Sequence, residues 1–324
     1  MLNGILHEND AATILAWTFG LFGIVANIYV IFLTVRRYML YHKTGKSGII
    51  YTFLIANLAV ADLCGSFYCV IIAGADYFYG RYHSDLYICE LNKTCNNLTN
   101  IWLLNSMCSV ARFVSIIAIY VPTFITLIIA IDRYRAIVYP YNSKRLTMAQ
   151  IRRTTSISWL IVIIFAIIAI VKSWELQKLN EFDDFTNMCQ YGNTTNQFFQ
   201  IIAILTFVII ISCYLSTTVL YAKIITYMRQ NRKNLAAIDK SCFKSKVNAE
   251  KHVTIVTSII ILTNMISWLP GLIIMIASYV DSPFTHTPID QYLSLVGFLC
   301  LFINSALNPI LYLIFTSTFC KRCC

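Results

Sequence analysis

The chain has 324 residues, is 58% hydrophobic and only 12% charged, and carries a formal net charge of +10. A water-soluble protein of this length needs far more polar surface, so an ordinary soluble enzyme or binding domain is excluded. Nucleic-acid binding is excluded as well. It needs Lys and Arg on a solvated face, whereas here they sit in short blocks between long apolar runs.

The first apolar run covers residues 12–35 and closes on Arg36, Arg37, His42, Lys43 and Lys46. A second covers 48–74, and a polar stretch with Asp76, Asp85 and Glu90 follows it. The third covers 103–131 and gives way to Arg133, Arg135, Lys144, Arg145, Arg152 and Arg153. The fourth, 155–171, precedes an acidic loop with Glu175, Glu181, Asp183 and Asp184. The fifth, 198–227, leads into a strongly basic segment, 229–251. The sixth covers 253–280 and the seventh 292–315, with Asp281 and Asp290 between them. Each run has the roughly 20 apolar residues that span a hydrocarbon core about 30 Å thick. The runs are apolar throughout, without the alternation of a barrel strand, so the expected fold is an all-α membrane protein with seven transmembrane helices.

Charge sets the orientation. Basic residues crowd the loops after runs one, three and five and the tail after seven, while the other loops are acidic. The positive-inside rule then puts the N terminus outside and the C terminus in the cytoplasm. The sequons at Asn92, Asn97 and Asn193 all fall on the outer side, as glycosylation requires. The expected division is an extracellular N terminus (1–11), a seven-helix domain (12–316) and a short cytoplasmic helix or tail (317–324). The first ten residues lack the basic start of a cleavable signal, so the first run is expected to act as its own insertion signal.

Twelve cysteines are present. Cys64, Cys69, Cys213 and Cys300 lie inside apolar runs and read as packing residues. No Cys/His group has zinc-ligand spacing, and neither a metal nor a cofactor is expected.

Polar side chains inside the apolar runs are the candidate functional residues, because ionisable groups in a bilayer are costly and face the bundle interior. Asn27, Asp62, Asn304, Ser305 and Asn308 are of this kind. Asn and Ser also serve as plain packing contacts between membrane helices, but a lone carboxylate such as Asp62 needs a cation, a proton or several donors. Asp132-Arg133-Tyr134 closes the third run. Two snorkelling charges at the interface would look the same. A switch is the sharper reading: Arg133 pairs with Asp132, reaches Glu250 at the start of the sixth run, and releases it when that helix swings outward. Pro270 beside Trp268 in the sixth run and Pro309 in the seventh predict helix kinks.

Taken in order, these marks resemble the rhodopsin-like (class A) G-protein-coupled receptors over nearly the whole chain. They are Asn27, Leu58-Ala-Val-Ala-Asp62, Asp132-Arg133-Tyr134, Trp159, Tyr221, Trp268-Leu-Pro270 and Asn308-Pro309-Ile-Leu-Tyr312. The resemblance implies a receptor rather than an enzyme, working with a heterotrimeric G protein, and a disulfide between Cys108 and Cys189. A smaller Cys89–Cys95 bridge is a further expectation. The end of the chain looks like a short amphipathic eighth helix, where Cys320, Cys323 and Cys324 beside Lys321 and Arg322 suggest palmitoylation, or else remain unmodified. Trp102, Ser106, Cys108, Asn264 and Cys213 resemble the glycoprotein-hormone and relaxin receptor group, whose large leucine-rich ectodomain has no counterpart in the dozen residues before the first run.

Departures from the family pattern narrow the ligand. Phe302 stands where opsins carry the retinal lysine, and Ser115 where amine receptors carry an aspartate. Pro122 replaces the serine of the family's sodium site. The pocket is expected among Arg112, Ser115, Ile119, Met275, Phe298 and Phe302. Arg112 suits a ligand carboxylate or, equally, pairs with Asp76 or Glu90. The acidic loops suit a basic peptide or small protein, and a lipid or acidic metabolite comes second. A transporter or channel is the competing class, though the repeats and broken helices of that class are not visible. A membrane enzyme is opposed by the histidines, which all fall at loops or helix ends.

Overall fold

The computed structural model describes residues 5–6, 9–44, 48–82, 88–89, 95–96, 102–139, 146–178, 188–190, 197–230, 255, 258–267, 269–271, 273 and 288–323. Of these, 41–44, 80–82, 88–89, 95–96, 177–178, 288–294, 301 and 314–323 are described in backbone only. The helices are α1 (Asp10–Thr44), α2 (Ile49–Ala75), α3 (Ser106–Val138), α4 (Met148–Lys178), α5 (Gln197–Gln230), α6 (Ser258–Gly271) and α7 (Pro288–Cys323). A π-helical turn, Asp76–Tyr82, extends α2. The strands β1 (Ile88–Cys89) and β2 (Cys95–Asn96) pair antiparallel with Cys89 opposite Cys95. Among the described residues, six helices are long and apolar enough to cross a membrane, and α6 is a shorter apolar helix.

The helices outrun the apolar windows of the sequence because their polar ends carry good start signals. Asn9 caps α1, its side chain accepting the Ala12 N–H at 3.1 Å. Asn105 does the same for α3 through the Met107 N–H at 2.8 Å. Thr147 and Gln150 form a reciprocal capping box, which begins α4 well before its apolar run. Gly48 precedes α2 at φ 113°, a left-handed conformation in which a Cβ would clash. Residues 317–323, expected as a short helix, are helical and continue α7 without a break.

α3 forms the centre of the bundle: 67% of its apolar window is buried, against 28% for α4. α3 packs against α2, α4 and α5, while α1 packs against α2 and α7. The outward faces of the peripheral helices are apolar, as with Val25 and Phe32 of α1, Leu160 and Ile164 of α4 and Val208 of α5. In water these exposed side chains would be a liability, and in hydrocarbon they are the ordinary surface. With lipid as apolar as the core, close approach and polar contacts hold the helices together. A Cβ built on Gly65 of α2 would lie 2.4 Å from Ser305 Oγ of α7, and one on Gly23 of α1 would lie 2.3 Å from Ser66 Oγ of α2.

Candidate functional site

The polar residues singled out in the apolar runs converge. Asn27 of α1 donates through Nδ2 to the Ser305 carbonyl of α7 at 2.9 Å and to its own Gly23 carbonyl at 2.9 Å. Asp62 of α2 accepts from Asn308 Nδ2 of α7 at 2.9 Å. Asn304 of α7 donates to Asn264 of α6. All six of these side chains are buried. A buried polar group costs free energy unless paired, so this chain of contacts fixes how α1, α2, α6 and α7 meet. A small cavity opens beside it, lined by Asn27, Leu58, Asp62, Ile260, Asn308 and Tyr312 among others. Those lining residues come from α1, α2, α6 and α7. Pro122, buried within α3, brings no hydroxyl to this region.

At one end of the bundle, Arg133 donates to Asp132 Oδ2 through Nε at 3.1 Å and Nη2 at 2.5 Å. Both residues are 7% exposed. The guanidinium also lies over the Tyr51 ring, 5.7 Å from its centroid, a cation–π contact strengthened by exclusion of water. Tyr312 of α7 accepts from Arg37 Nη1 of α1 at 3.1 Å and lies beneath its guanidinium. Tyr221 packs with Ala130, Ile224, Ile261 and Tyr134. Tyr51 and Arg37 escaped the sequence reading, because nothing in their neighbourhood says which helix they face. Glu250, Trp268 and Met275 lie outside the described residues, as do the sequons at Asn92, Asn97 and Asn193, together with Glu90 and Cys324. Pro270 lies in α6, and Cys320 and Cys323 are described in backbone alone.

The opposite end is closed by the Cys108–Cys189 disulfide, which ties the start of α3 to the segment before α5. Next to Cys189, the Met188 carbonyl accepts from the Tyr68 hydroxyl at 2.7 Å. The Tyr68 ring stacks on Phe302 at 4.5 Å and on Phe298 at 5.7 Å between centroids. Of the pocket candidates, Arg112, Ser115, Phe298 and Phe302 are buried here and Ile119 is half-buried. Ser115 Oγ donates back to the Arg112 carbonyl at 2.9 Å, and an Arg112 N–H reaches Cys108 Sγ at 3.9 Å. Asp76, offered as a partner for Arg112, accepts from the Leu6 N–H and the Thr13 hydroxyl, each at 2.8 Å. Tyr68 was legible only as an aromatic residue in an apolar run. The burial of Ile5 and Leu6 had no signal in the sequence.

A helical bundle with a buried polar core, a packed aromatic cluster under a disulfide and an acid–arginine pair at the far end is the arrangement of a membrane receptor of the rhodopsin type. The family model described as "7 transmembrane receptor (rhodopsin family)" matches residues 26–312, and the chain belongs to that family. It is 24% identical to the G-protein coupled receptor GRL101 of Lymnaea stagnalis over 97% of its own length, and spans only 26% of that receptor. It is 24% identical to the neuropeptide S receptor of Rattus norvegicus, over 95% of this chain and 77% of that one. Similarity to the lutropin-choriogonadotropic hormone receptor of Sus scrofa is 23% over 96% of the chain and 39% of that receptor. Squid rhodopsin superposes with a TM-score of 0.63 at 15% identity, covering 93% of this chain and 80% of its own, which establishes the shared fold. A multi-pass signalling receptor rather than an enzyme follows from the family, and the transporter and channel alternatives give way to it.

Proposed function

We propose that the protein is a plasma-membrane receptor, N terminus outside and C terminus in the cytoplasm, that binds an extracellular peptide or small protein and activates a heterotrimeric G protein. The observation that carries the G-protein half is the buried Asp132–Arg133 pair at the end of α3. An arginine held by its neighbour in a dry site is available to a different partner once the helices around it part. Ligand entry at the disulfide end favours a packing in which α6 moves outward from Arg133. Glu250, Trp268, Pro270, Asn308, Pro309, Tyr312 and Tyr221 rearrange with it. The ligand class rests on the similarity to neuropeptide receptors and on the acidic outer loops. Arg112, fully buried among the pocket candidates, favours a lipid or acidic metabolite as the second reading. Asn92, Asn97 and Asn193 are the glycosylation sites of this reading. Lipidation of Cys320, Cys323 and Cys324 would anchor the tail in membrane lipid.

Nucleotide exchange measured on purified G proteins with the receptor in lipid nanodiscs tests the switch. Asp132→Asn and Glu250→Gln, which loosen the grip on Arg133, are expected to raise basal exchange. Unchanged exchange in both variants, with normal surface expression, defeats it.

A further inference from the structure

Two residues ahead of α1, Ile5 and Leu6, do not lie on the surface. Ile5 and Leu6 are both 0% exposed. They belong to the same apolar cluster as Tyr68, Ile72, Trp102, Met188, Phe298 and Phe302 at the disulfide end. Phe298 and Phe302 are two of the side chains expected to line the ligand pocket. The insertion is also polar-matched. The Leu6 N–H donates to Asp76 Oδ1 at 2.8 Å, and the Leu6 carbonyl accepts from the Asn9 N–H at 3.1 Å. The other oxygen of Asp76 takes the Thr13 hydroxyl at 2.8 Å. Asp76 is itself 0% exposed, and a carboxylate in such a place must be supplied with donors.

We propose that Ile5 and Leu6 are a built-in occupant of the outer pocket, seated there as a peptide ligand would be, and that a diffusible ligand must displace them. This rests on the peptide-receptor reading and specifies its chemistry. The ligand is a peptide that presents two adjacent aliphatic side chains to the aromatic cluster and a main-chain N–H to Asp76. Two features distinguish this arrangement from incidental packing. The anchor on the receptor side is a side-chain carboxylate, and on the segment side it is a main-chain group, so any peptide of suitable shape makes the same bond. The tether is only a few residues long, since α1 begins at Asp10. A short tether holds its end at millimolar effective concentration, so weakly binding peptides are excluded and stronger ones admitted.

Two measurements on the full chain test this, and neither involves a G protein. The first compares Leu6→Cys with the exposed Asp10→Cys in intact cells. A membrane-impermeant maleimide is used and the parent's labelling is subtracted. Leu6→Cys is expected to label about tenfold more slowly or less, consistent with burial against a short tether, and Asp76→Ala in the same chain is expected to restore much of the rate. The second uses a fluorescent synthetic peptide, Asn-Gly-Ile-Leu-His-Glu-Asn, with purified receptor in nanodiscs. Saturable binding is expected to the Ile5→Ala/Leu6→Ala variant, far weaker binding to the parent, and loss of binding when Asp76→Ala is added. Equal labelling of Leu6→Cys and Asp10→Cys overturns the proposal. So does absence of peptide binding to an Ile5→Ala/Leu6→Ala receptor that reaches the surface with its disulfide formed. A receptor that passes both tests yet fails to drive nucleotide exchange leaves this inference standing and defeats the G-protein reading alone.

Discussion

The Asp62–Asn308 bond joins α2 to α7 across 246 residues of sequence, and a double-mutant cycle measures what it contributes. Asp62 is 2% exposed and Asn308 4%, so neither lost partner is replaced freely by bulk water. Asp62→Ala leaves the Asn308 amide without the acceptor it meets at 2.9 Å, and an orphaned buried donor costs about 1–3 kcal/mol. Asn308→Ala leaves the carboxylate short of a donor at similar cost. The adjoining cavity already admits small rearrangements, which pulls both values toward the lower end. Hydrogen bonds between membrane helices average about 0.6 kcal/mol and reach about 1.7 kcal/mol. A bond between two side chains this deeply buried belongs in the upper half of that range. The double variant is therefore expected to be about 1 kcal/mol more stable than the sum of the single losses. Unfolding of the receptor in mixed micelles, titrated with a denaturing detergent and followed by circular dichroism, gives the four free energies. Additivity within about 0.3 kcal/mol, the level seen for independent sites, refutes the pairing and with it the view that α7 is fixed by this contact.

Gly65→Val is expected to destabilise the bundle by about 1–3 kcal/mol through overpacking, because even its Cβ would meet Ser305 Oγ at 2.4 Å and Ala118 Cβ at 3.3 Å. Ser305→Gly in the same chain recovers part of the loss in that unfolding titration, and no recovery would place the clash elsewhere. Cys108→Ser, Cys189→Ser and the double variant are expected to lose equal stability, since either change opens the same bond. Free-chain loop closure gives about 4.5 kcal/mol for an 81-residue separation, and the measured value falls below that because membrane insertion already confines the ends of α3 and α5. Summed effects in the double variant would argue against the pairing. Arg37→Leu removes the donor to Tyr312 and is expected to change basal nucleotide exchange at least as much as it changes stability, about 1 kcal/mol for one half-buried bond. Loss of stability with unaltered exchange would make Arg37 a packing residue only.

The solvent of this protein explains what its sequence alone determined. Hydrocarbon demands long uninterrupted apolar runs and tolerates charge only at their ends, and both signatures are local, so the spans were legible directly from the chain. The inward-facing role of Asn27, Asp62, Asn304 and Asn308 was legible for the same reason: a polar group in a membrane run has nowhere else to go. Helix ends were less so. Capping by Thr147 and Gln150 starts α4 among polar residues that an apolar window passes over. The partners were decided by tertiary packing alone. Nothing near Asp62 names Asn308, and nothing near Tyr312 names Arg37. The sharpest case is Leu6, which only the assembled helices bring against Asp76 and the aromatic cluster. A hydrophobic residue in a short segment has no periodicity to declare its neighbour, and its place follows from an apolar cluster that assembles only once the helices pack.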